Sequence, residues 1–149
     1  MEKLRYSIDI HAPKKKVWET MLNDDTYRKW TEVFNPPGSV SYYKGEWKEG
    51  SSMLFLWQDE NWVSGMISKI KEVRPFDYLS IQHLWEIING KETYWPETQD
   101  ARENYTFIEK DGFTQVLVEL DSKEEYKDMF EEMWPEALKK LKILSESNS

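Results

Sequence analysis

KEEYKDMFEEMWPEALKKLKILSES, residues 123–147, is the stretch that decides the fold. Large apolar residues recur in it at offsets of three and four, which places them on one stripe of an α-helix. The stripe consists of Tyr126, Phe130, Met133, Trp134, Ala137, Leu138, Leu141 and Leu144. We expect Ser122 to cap this helix and Pro135 to kink or break it. Because the stripe carries rings and methionines near its start, the helix needs a wide, curved apolar surface to lie on.

The chain upstream of this helix consists mainly of short segments with strand periodicity. Residues 4–10 alternate polar and apolar side chains, as a half-buried strand does, and residues 13–30 have the spacing of two short helices. Further strands are predicted at 40–44, 52–57, 62–73, 79–87, 104–109 and 115–120. A β-bulge is expected near Ser68–Lys69, where the alternation breaks. Short connections between strands imply an antiparallel sheet, so the element order predicts an α+β fold.

Residues 89–103 form the one long stretch without a regular pattern. Loops of this length in a compact domain are usually functional or disordered. We interpret the stretch either as a surface loop or as a lid over the mouth of a cavity. Its acidic residues are interpreted as a solvated face, since carboxylates prefer exposure. These residues are Glu92, Glu97, Asp100 and Glu103.

The composition narrows the class of protein. A chain of 149 residues suits one domain, 1–149, and the absence of cysteine excludes disulfides, thiolate catalysis and zinc–thiolate sites. The formal net charge of −8 argues against binding to nucleic acid and to anionic membranes. The N-terminus lacks the apolar run of a signal peptide, and no window reaches the ~20 apolar residues of a membrane span. A cytoplasmic location is therefore expected.

Aromatic side chains are unusually frequent, with 8 Trp, 8 Tyr and 6 Phe. Either they interlock in a close-packed core, or they line a cavity. A curved sheet around one long helix leaves a space beneath the helix that side chains or a ligand must fill. The candidate lining residues are Trp30, Met53, Phe55, Trp57, Ile81, His83, Trp85, Tyr105, Phe107, Val116, Val118, Phe130, Met133, Trp134 and Leu138.

Side chains that support catalysis are few. His11 ends the first strand on its polar face and is given no role. His83 shares the inward parity of its apolar neighbours, so it is either a hydrogen-bonded core histidine or the polar anchor of a ligand. Two distant histidines without cysteine make no metal cluster, and no phosphate loop or nucleophile motif is present. We therefore expect neither a metal nor a cofactor.

The strand at 52–57 is apolar on both faces. Leu54 and Leu56 alternate with the inward residues of that strand, so they are expected on its outer face. An exposed apolar face of this kind is typical of a contact with another subunit. The pattern therefore suggests a homodimer.

Several short motifs occur in the order and spacing of a known family. They are IHAPKKKVW at 10–18 with Trp30, GEWKEG at 45–50, GMI at 65–67 with Ile70 and Arg74–Pro75, YTF at 105–107 with Asp111–Gly112, Val116 and Val118, and MW at 133–134 with Leu138 and Leu141. This set resembles the START-like (SRPBCC) superfamily, and within it the activators of the heat-shock protein 90 ATPase. The resemblance covers nearly the whole chain. It implies the helix-grip fold, an antiparallel sheet of about six or seven strands around a C-terminal helix, with a hydrophobic cavity between them.

Three functions are compatible with these patterns. The first is binding of a hydrophobic small molecule, apolar or aromatic, under the C-terminal helix. The second, implied by the resemblance, is a chaperone-interaction module that stimulates the heat-shock protein 90 ATPase. The third is a cyclase/aromatase-like enzyme with His83 and Tyr105 as acid–base groups. Binding ranks first because the chain offers much apolar surface and little catalytic chemistry.

Overall fold

The computed structural model describes residues 2–35, 38–94 and 101–147. The strands are β1 Glu2–Ile10, β2 Val40–Gly45, β3 Ser52–Gln58, β4 Val63–Arg74, β5 Tyr78–Ile88, β6 Lys91–Tyr94, β7 Ala101–Lys110 and β8 Phe113–Ser122. The helices are α1 Lys14–Leu22, α2 Asp24–Trp30 and α3 Lys127–Glu146. Single 3₁₀ turns occupy Thr31–Phe34 and Glu124–Tyr126.

Within the described residues, the strands form one eight-stranded antiparallel sheet in the order β1-β8-β7-β5-β4-β3-β2. The short β6 pairs with the far end of β5, beyond the part that pairs with β7. The sheet curves around α3, which confirms the predicted helix-grip α+β fold. β6 is the strand that was not predicted. Its sequence, KETY, has no apolar alternation, and all four residues are exposed.

Asn23 separates the two short helices that the sequence predicts. Its backbone is extended, with φ −67° and ψ 140°. Its N–H donates to the carbonyl of Glu19 and closes α1, while its own carbonyl accepts from the N–H of Tyr27 at 2.8 Å. One residue thus ends α1 and begins α2, which turns the chain and brings α2 over β2.

α3 runs from Lys127 to Glu146 without a break at Pro135. Pro135 has no N–H for the carbonyl of Glu131, so it removes one helical hydrogen bond. Packing of the apolar stripe on the sheet outweighs that loss. The buried residues of α3 are Trp134, Ala137, Leu138, Leu141 and Ser145.

The expectation that Ser122 caps the final helix is wrong. Ser122 is the last residue of β8, where it pairs with Glu2 of β1. Its hydroxyl donates to the carbonyl of Lys123 at 3.0 Å and not to a helical N–H. The 3₁₀ turn then intervenes before α3, because the sheet ladder extends further than the alternation of β8 indicated.

The β-bulge expected in this part of the sheet is present, between β4 and β5. Ile67 pairs with Trp85 whereas Ser68 pairs with His83, which leaves Leu84 as the extra residue. An extra residue reverses the facing of every side chain beyond it. Consequently the side chains of β5 that face α3 are the odd-numbered ones before Leu84 and the even-numbered ones after it.

The close-packed core lies between the sheet and the second half of α3. In this region α1 packs on β7 and β8. The Trp18 ring meets the Phe107 ring edge-on at a centroid distance of 5.3 Å. Around this pair lie fully buried aliphatic residues from the sheet and both helices, among them Ile10, Val17, Met21, Val116, Val118, Leu138 and Leu141. Side chains therefore fill this part of the space between sheet and α3.

Candidate functional site

The other part of that space is open. A cavity of about 510 Å³ lies between the sheet and the first half of α3. This volume falls within the roughly 300–1,000 Å³ of small-molecule sites. Its helical wall is formed by Tyr27, Trp30 and Phe34 from the α2 region and by Met129, Phe130, Met133 and Trp134 from α3. β3, β4, β5 and β7 form the opposite wall.

Hydrogen bonds to the end of α1 fix three of the surrounding rings. The last carbonyls of a helix have no partner within it. Here the indole N–H of Trp30 donates to the carbonyl of Met21 at 3.0 Å. The carbonyl of Leu22 accepts from the hydroxyl of Tyr43 at 2.6 Å and from the indole N–H of Trp47 at 3.2 Å. These N–H and O–H groups thus provide partners for the last carbonyls of α1, and the same hydrogen bonds fix the orientation of the three rings.

Trp134 is the centre of a second ring cluster, on the α3 side. Its ring centroid lies 4.9 Å from that of Phe34, in an edge-on arrangement. It lies 6.1 to 6.3 Å from the ring centroids of Tyr6, Trp30 and Tyr105. Pairs at these separations stabilise beyond their burial by about 0.5–1.5 kcal/mol each. Trp134 therefore joins α3 to β1, β7 and the α2 region.

A row of four polar side chains crosses β4, β5 and β7 in the sheet wall. Ser68 Oγ lies 2.7 Å from Nδ1 of His83. Nε2 of His83 lies 3.0 Å from Oε1 of Glu103, and Oε2 of Glu103 accepts from the hydroxyl of Tyr105. With the carboxylate as acceptor, Nε2–H of the imidazole donates to Glu103. His83, Glu103 and Tyr105 all line the cavity.

The contacts within this row shift the pKa of two of its members, Glu103 and Tyr105. Burial by itself raises the pKa of Glu103, but the hydrogen bond and charge of His83, with the hydroxyl of Tyr105, lower it overall. Burial and the adjacent carboxylate raise the pKa of Tyr105 well above its ordinary value. At neutral pH the cavity wall thus holds an ionised carboxylate and a protonated phenol.

The lowered pKa of Glu103 predicts a loss of stability in acid. Its contribution is complete above the unfolded-state pKa of 4.5 and disappears as the pH falls through the lower folded-state value. Between pH 6 and pH 3.5, wild type should therefore lose more free energy of unfolding than a Glu103→Gln variant, which lacks this group. Urea unfolding followed by circular dichroism at each pH measures the difference. Glu132→Gln, on the exposed face of α3, is the control and should parallel wild type.

The remaining charged groups of the lining are paired at its rim. Glu86 accepts from Nζ of Lys123 at 3.3 Å. Asp121 accepts from Nζ of Lys3 at 3.1 Å and from the backbone N–H of Arg102 at 3.0 Å. These contacts tie the strand ends to the turn that leads into α3.

The structure divides fourteen of the fifteen predicted lining residues, all but Trp85, into two groups. Those that line the cavity are Trp30, Phe55, Trp57, Ile81, His83, Tyr105, Phe130, Met133 and Trp134. Those that lie in the close-packed core instead are Met53, Phe107, Val116, Val118 and Leu138. The second group has the inward parity that the pattern predicts, but its side chains are packed within the core.

Trp85 is placed on the opposite face of the sheet, contrary to expectation. The bulge at Leu84 reverses the parity of β5, so Glu86 lines the cavity in place of Trp85. The indole instead packs on the ring of Tyr94 in β6, at a centroid distance of 5.1 Å. Leu56, expected on the outer face of β3, is buried and lines the cavity.

Glu103 is the most important residue that the sequence pattern misplaced. It was assigned to the acidic loop, but β7 begins at Ala101, so Glu103 shares the inward parity of Tyr105. Glu92 is exposed in β6. Glu97 and Asp100, with the lid interpretation that included them, lie outside the described residues. Extending the alternation of β7 backwards by one inward position would have found Glu103.

In the described ranges, no group of three or more histidine or acidic side chains is arranged to hold a metal ion. The polar row offers one imidazole and one carboxylate, which is too few ligands for a metal centre. None of the described helices combines the length and apolar character that a membrane span requires.

The geometry defines a class of protein: an α+β helix-grip domain whose sheet and C-terminal helix enclose a ring-lined apolar cavity. A family model described as Activator of Hsp90 ATPase homolog 1-like protein matches residues 11–146. The chain belongs to this family. No curated protein matches it.

Solved structures share the fold over almost the full chain. A protein from Chromobacterium violaceum has a TM-score of 0.75 at 14% identity, covering 99% of this chain and 100% of that chain. A protein from Arthrobacter aurescens has a TM-score of 0.76 at 12% identity, covering 99% and 87%. The Aha1 dimer from Colwellia psychrerythraea has a TM-score of 0.70 at 17% identity, covering 100% of both chains. At these identities the likeness establishes the fold.

Proposed function

We propose that this protein, acting as one domain, binds an apolar or aromatic small molecule between the sheet and the first half of α3. The observation that carries the proposal is the cavity of about 510 Å³ bounded by aromatic rings. Protein interiors normally leave few voids larger than a water molecule. An empty apolar cavity of this size lowers the free energy of unfolding, and a bound ligand would restore part of that loss.

Binding is favoured over catalysis by the state of the polar groups. His83 and Tyr105 are the acid–base pair of the cyclase-type alternative, but Nε2 of His83 and the hydroxyl of Tyr105 are both hydrogen-bonded to Glu103. Ser68, hydrogen-bonded to the imidazole, is fully buried and lies behind the lining, so a substrate does not reach it. Groups held in this way orient a ligand more readily than they transfer protons to it.

The family description favours a second candidate, stimulation of the heat-shock protein 90 ATPase. Titration of the protein into the chaperone, with ATP hydrolysis as the readout, tests this second candidate: an unchanged rate would remove it. We also propose that the chain forms a homodimer; the dimer of the Colwellia protein supports this, and sedimentation measures it.

Filling the cavity with a larger side chain should weaken binding. We expect wild type to bind the neutral dye Nile red, and Met133→Trp to weaken that binding about tenfold or more, because the larger side chain takes up ligand space. Fluorescence titration measures the affinity. Native mass spectrometry of freshly purified protein should in addition show a bound small molecule that denaturation releases.

Ile143→Trp is the matched control on the same helix. Ile143 is 66% exposed and lies away from the lining, so its replacement should leave the affinity for the dye unchanged. Equal weakening by both substitutions would show that the dye binds a surface and not the cavity. Absence of dye binding, together with no co-purified molecule, would contradict the proposed function.

A further inference from the structure

Glu103 puts a negative charge into the cavity wall, beside His83 and Tyr105. Its side chain is 22% exposed and lines the cavity. Within the described residues, its ion-pair partner is the imidazole of His83. The other lining acids, Glu86 and Asp121, each pair with a lysine ammonium group. Glu103 is therefore the acid of this cavity that is not matched by a lysine or arginine in the described ranges.

The carboxylate of Glu103 retains acceptor capacity. An ionised carboxylate has about four lone-pair positions on its two oxygens. Here Oε1 accepts from His83 and Oε2 accepts from Tyr105, one bond on each oxygen. The remaining positions are available to an N–H donor that arrives from the cavity side.

Aromatic rings lie near the imidazole that is hydrogen-bonded to this carboxylate. The Phe55 ring lies 6.3 Å from the imidazole of His83, edge-on, and 6.3 Å from the ring of Tyr27. Burial, with a smaller contribution from the Glu103 carboxylate, raises the pKa of the Tyr27 phenol. The faces of such rings attract cations, and most strongly where water is excluded.

We propose that the ligand of this cavity is an amine: an apolar or aromatic body whose ammonium group lies beside Glu103 and against the neighbouring rings. This inference rests on the proposed function and specifies the class of ligand. An ammonium group would donate to the free lone pairs of the carboxylate and meet the ring faces. A ligand carboxylate, as in a fatty acid, would instead place a second negative charge beside the first. The net charge of −8 acts in the same direction over longer distances.

Three naphthalene derivatives of similar shape test the charge preference. They are 2-naphthylmethylamine, cationic at pH 7, the neutral 2-naphthalenemethanol, and anionic 2-naphthoate. By calorimetric titration of the wild-type protein, the amine should bind about tenfold or more tightly than the alcohol, and the carboxylate should bind most weakly. Glu103→Gln should reduce the affinity for the amine about tenfold or more and so abolish the preference for the amine over the alcohol.

Glu119→Gln controls for loss of a negative charge from the sheet. Glu119 is paired with Arg5 on the exposed side of β8, so the preference for the amine should survive this substitution. Should Glu103→Gln fail to fold, judged by circular dichroism, the order of the three probes on wild type still decides. Binding of all three with equal affinity, or tightest binding of the carboxylate, would overturn the inference and leave the proposed function standing. Binding of none would count against the proposed function itself.

Discussion

Trp134→Ala is expected to lower the free energy of unfolding by about 3–5 kcal/mol, the usual loss when a buried tryptophan is truncated. Trp134 is 4% exposed and its ring contacts four other aromatic rings. Those rings belong to β1, β7 and the α2 region, so one substitution loosens several elements at once. Since domains are stable by only about 5–15 kcal/mol, the variant should unfold at a markedly lower urea concentration.

Far-UV circular dichroism is the suitable measurement, because the substitution itself alters tryptophan fluorescence. Trp62→Ala is the control: its ring is 52% exposed, and surface substitutions usually change stability by less than about 0.5 kcal/mol. A loss below about 1 kcal/mol for Trp134→Ala would mean that the ring cluster is not the contact that holds α3 on the sheet.

Gly65→Ala should destabilise the sheet by about 3 kcal/mol or more. Gly65 adopts φ +153°, and a Cβ there would overlap the carbonyl oxygen of Phe55 and come within 2.8 Å of Leu56 Cα. Both are backbone atoms of the adjacent β3, so no side-chain rotation relieves the overlap. β3 and β4 would have to separate where they form the cavity wall.

The matched control is Gly112→Ala, in the turn between β7 and β8. Gly112 has φ +81° but nothing within 4 Å of the added carbon, so only the backbone preference is lost, about 1–2 kcal/mol. Thermal and urea unfolding of both variants give the difference. Similar losses at the two positions would show that the contact with Phe55 is relieved by a small strand movement.

Local patterns predicted the architecture because each element carries its own periodicity. The three- and four-residue offsets around Trp134 fix one face of α3, and the alternation around Tyr105 fixes one face of β7. The same patterns located the irregularity near Ser68. They did not show that the extra residue lies in β5, at Leu84, because a broken alternation does not reveal which of two paired strands is longer. Trp85 was misplaced for that reason.

The boundary between cavity and core was beyond local prediction. Phe107 and Tyr105 have the same parity on β7, yet one is packed under Trp18 and the other lines open space. That difference depends on where α1 lies over the sheet, which is a tertiary contact between residues far apart in the chain. Glu103 was predicted to be solvated for a simpler reason: the irregular segment was extended through residue 103, whereas β7 begins at Ala101.

The attachment of Trp30, Tyr43 and Trp47 to the carboxyl end of α1 has a mechanical consequence. These rings cannot move to admit a larger ligand unless their hydrogen bonds to the last carbonyls of α1 break. Expansion of the cavity on this side would therefore loosen the last turn of α1. Faster amide hydrogen exchange in that turn would reveal the change. Among the described contacts, the side chains of Met129 and Phe130 have no such hydrogen bonds. We therefore expect α3 to move when the cavity binds ligands of different size.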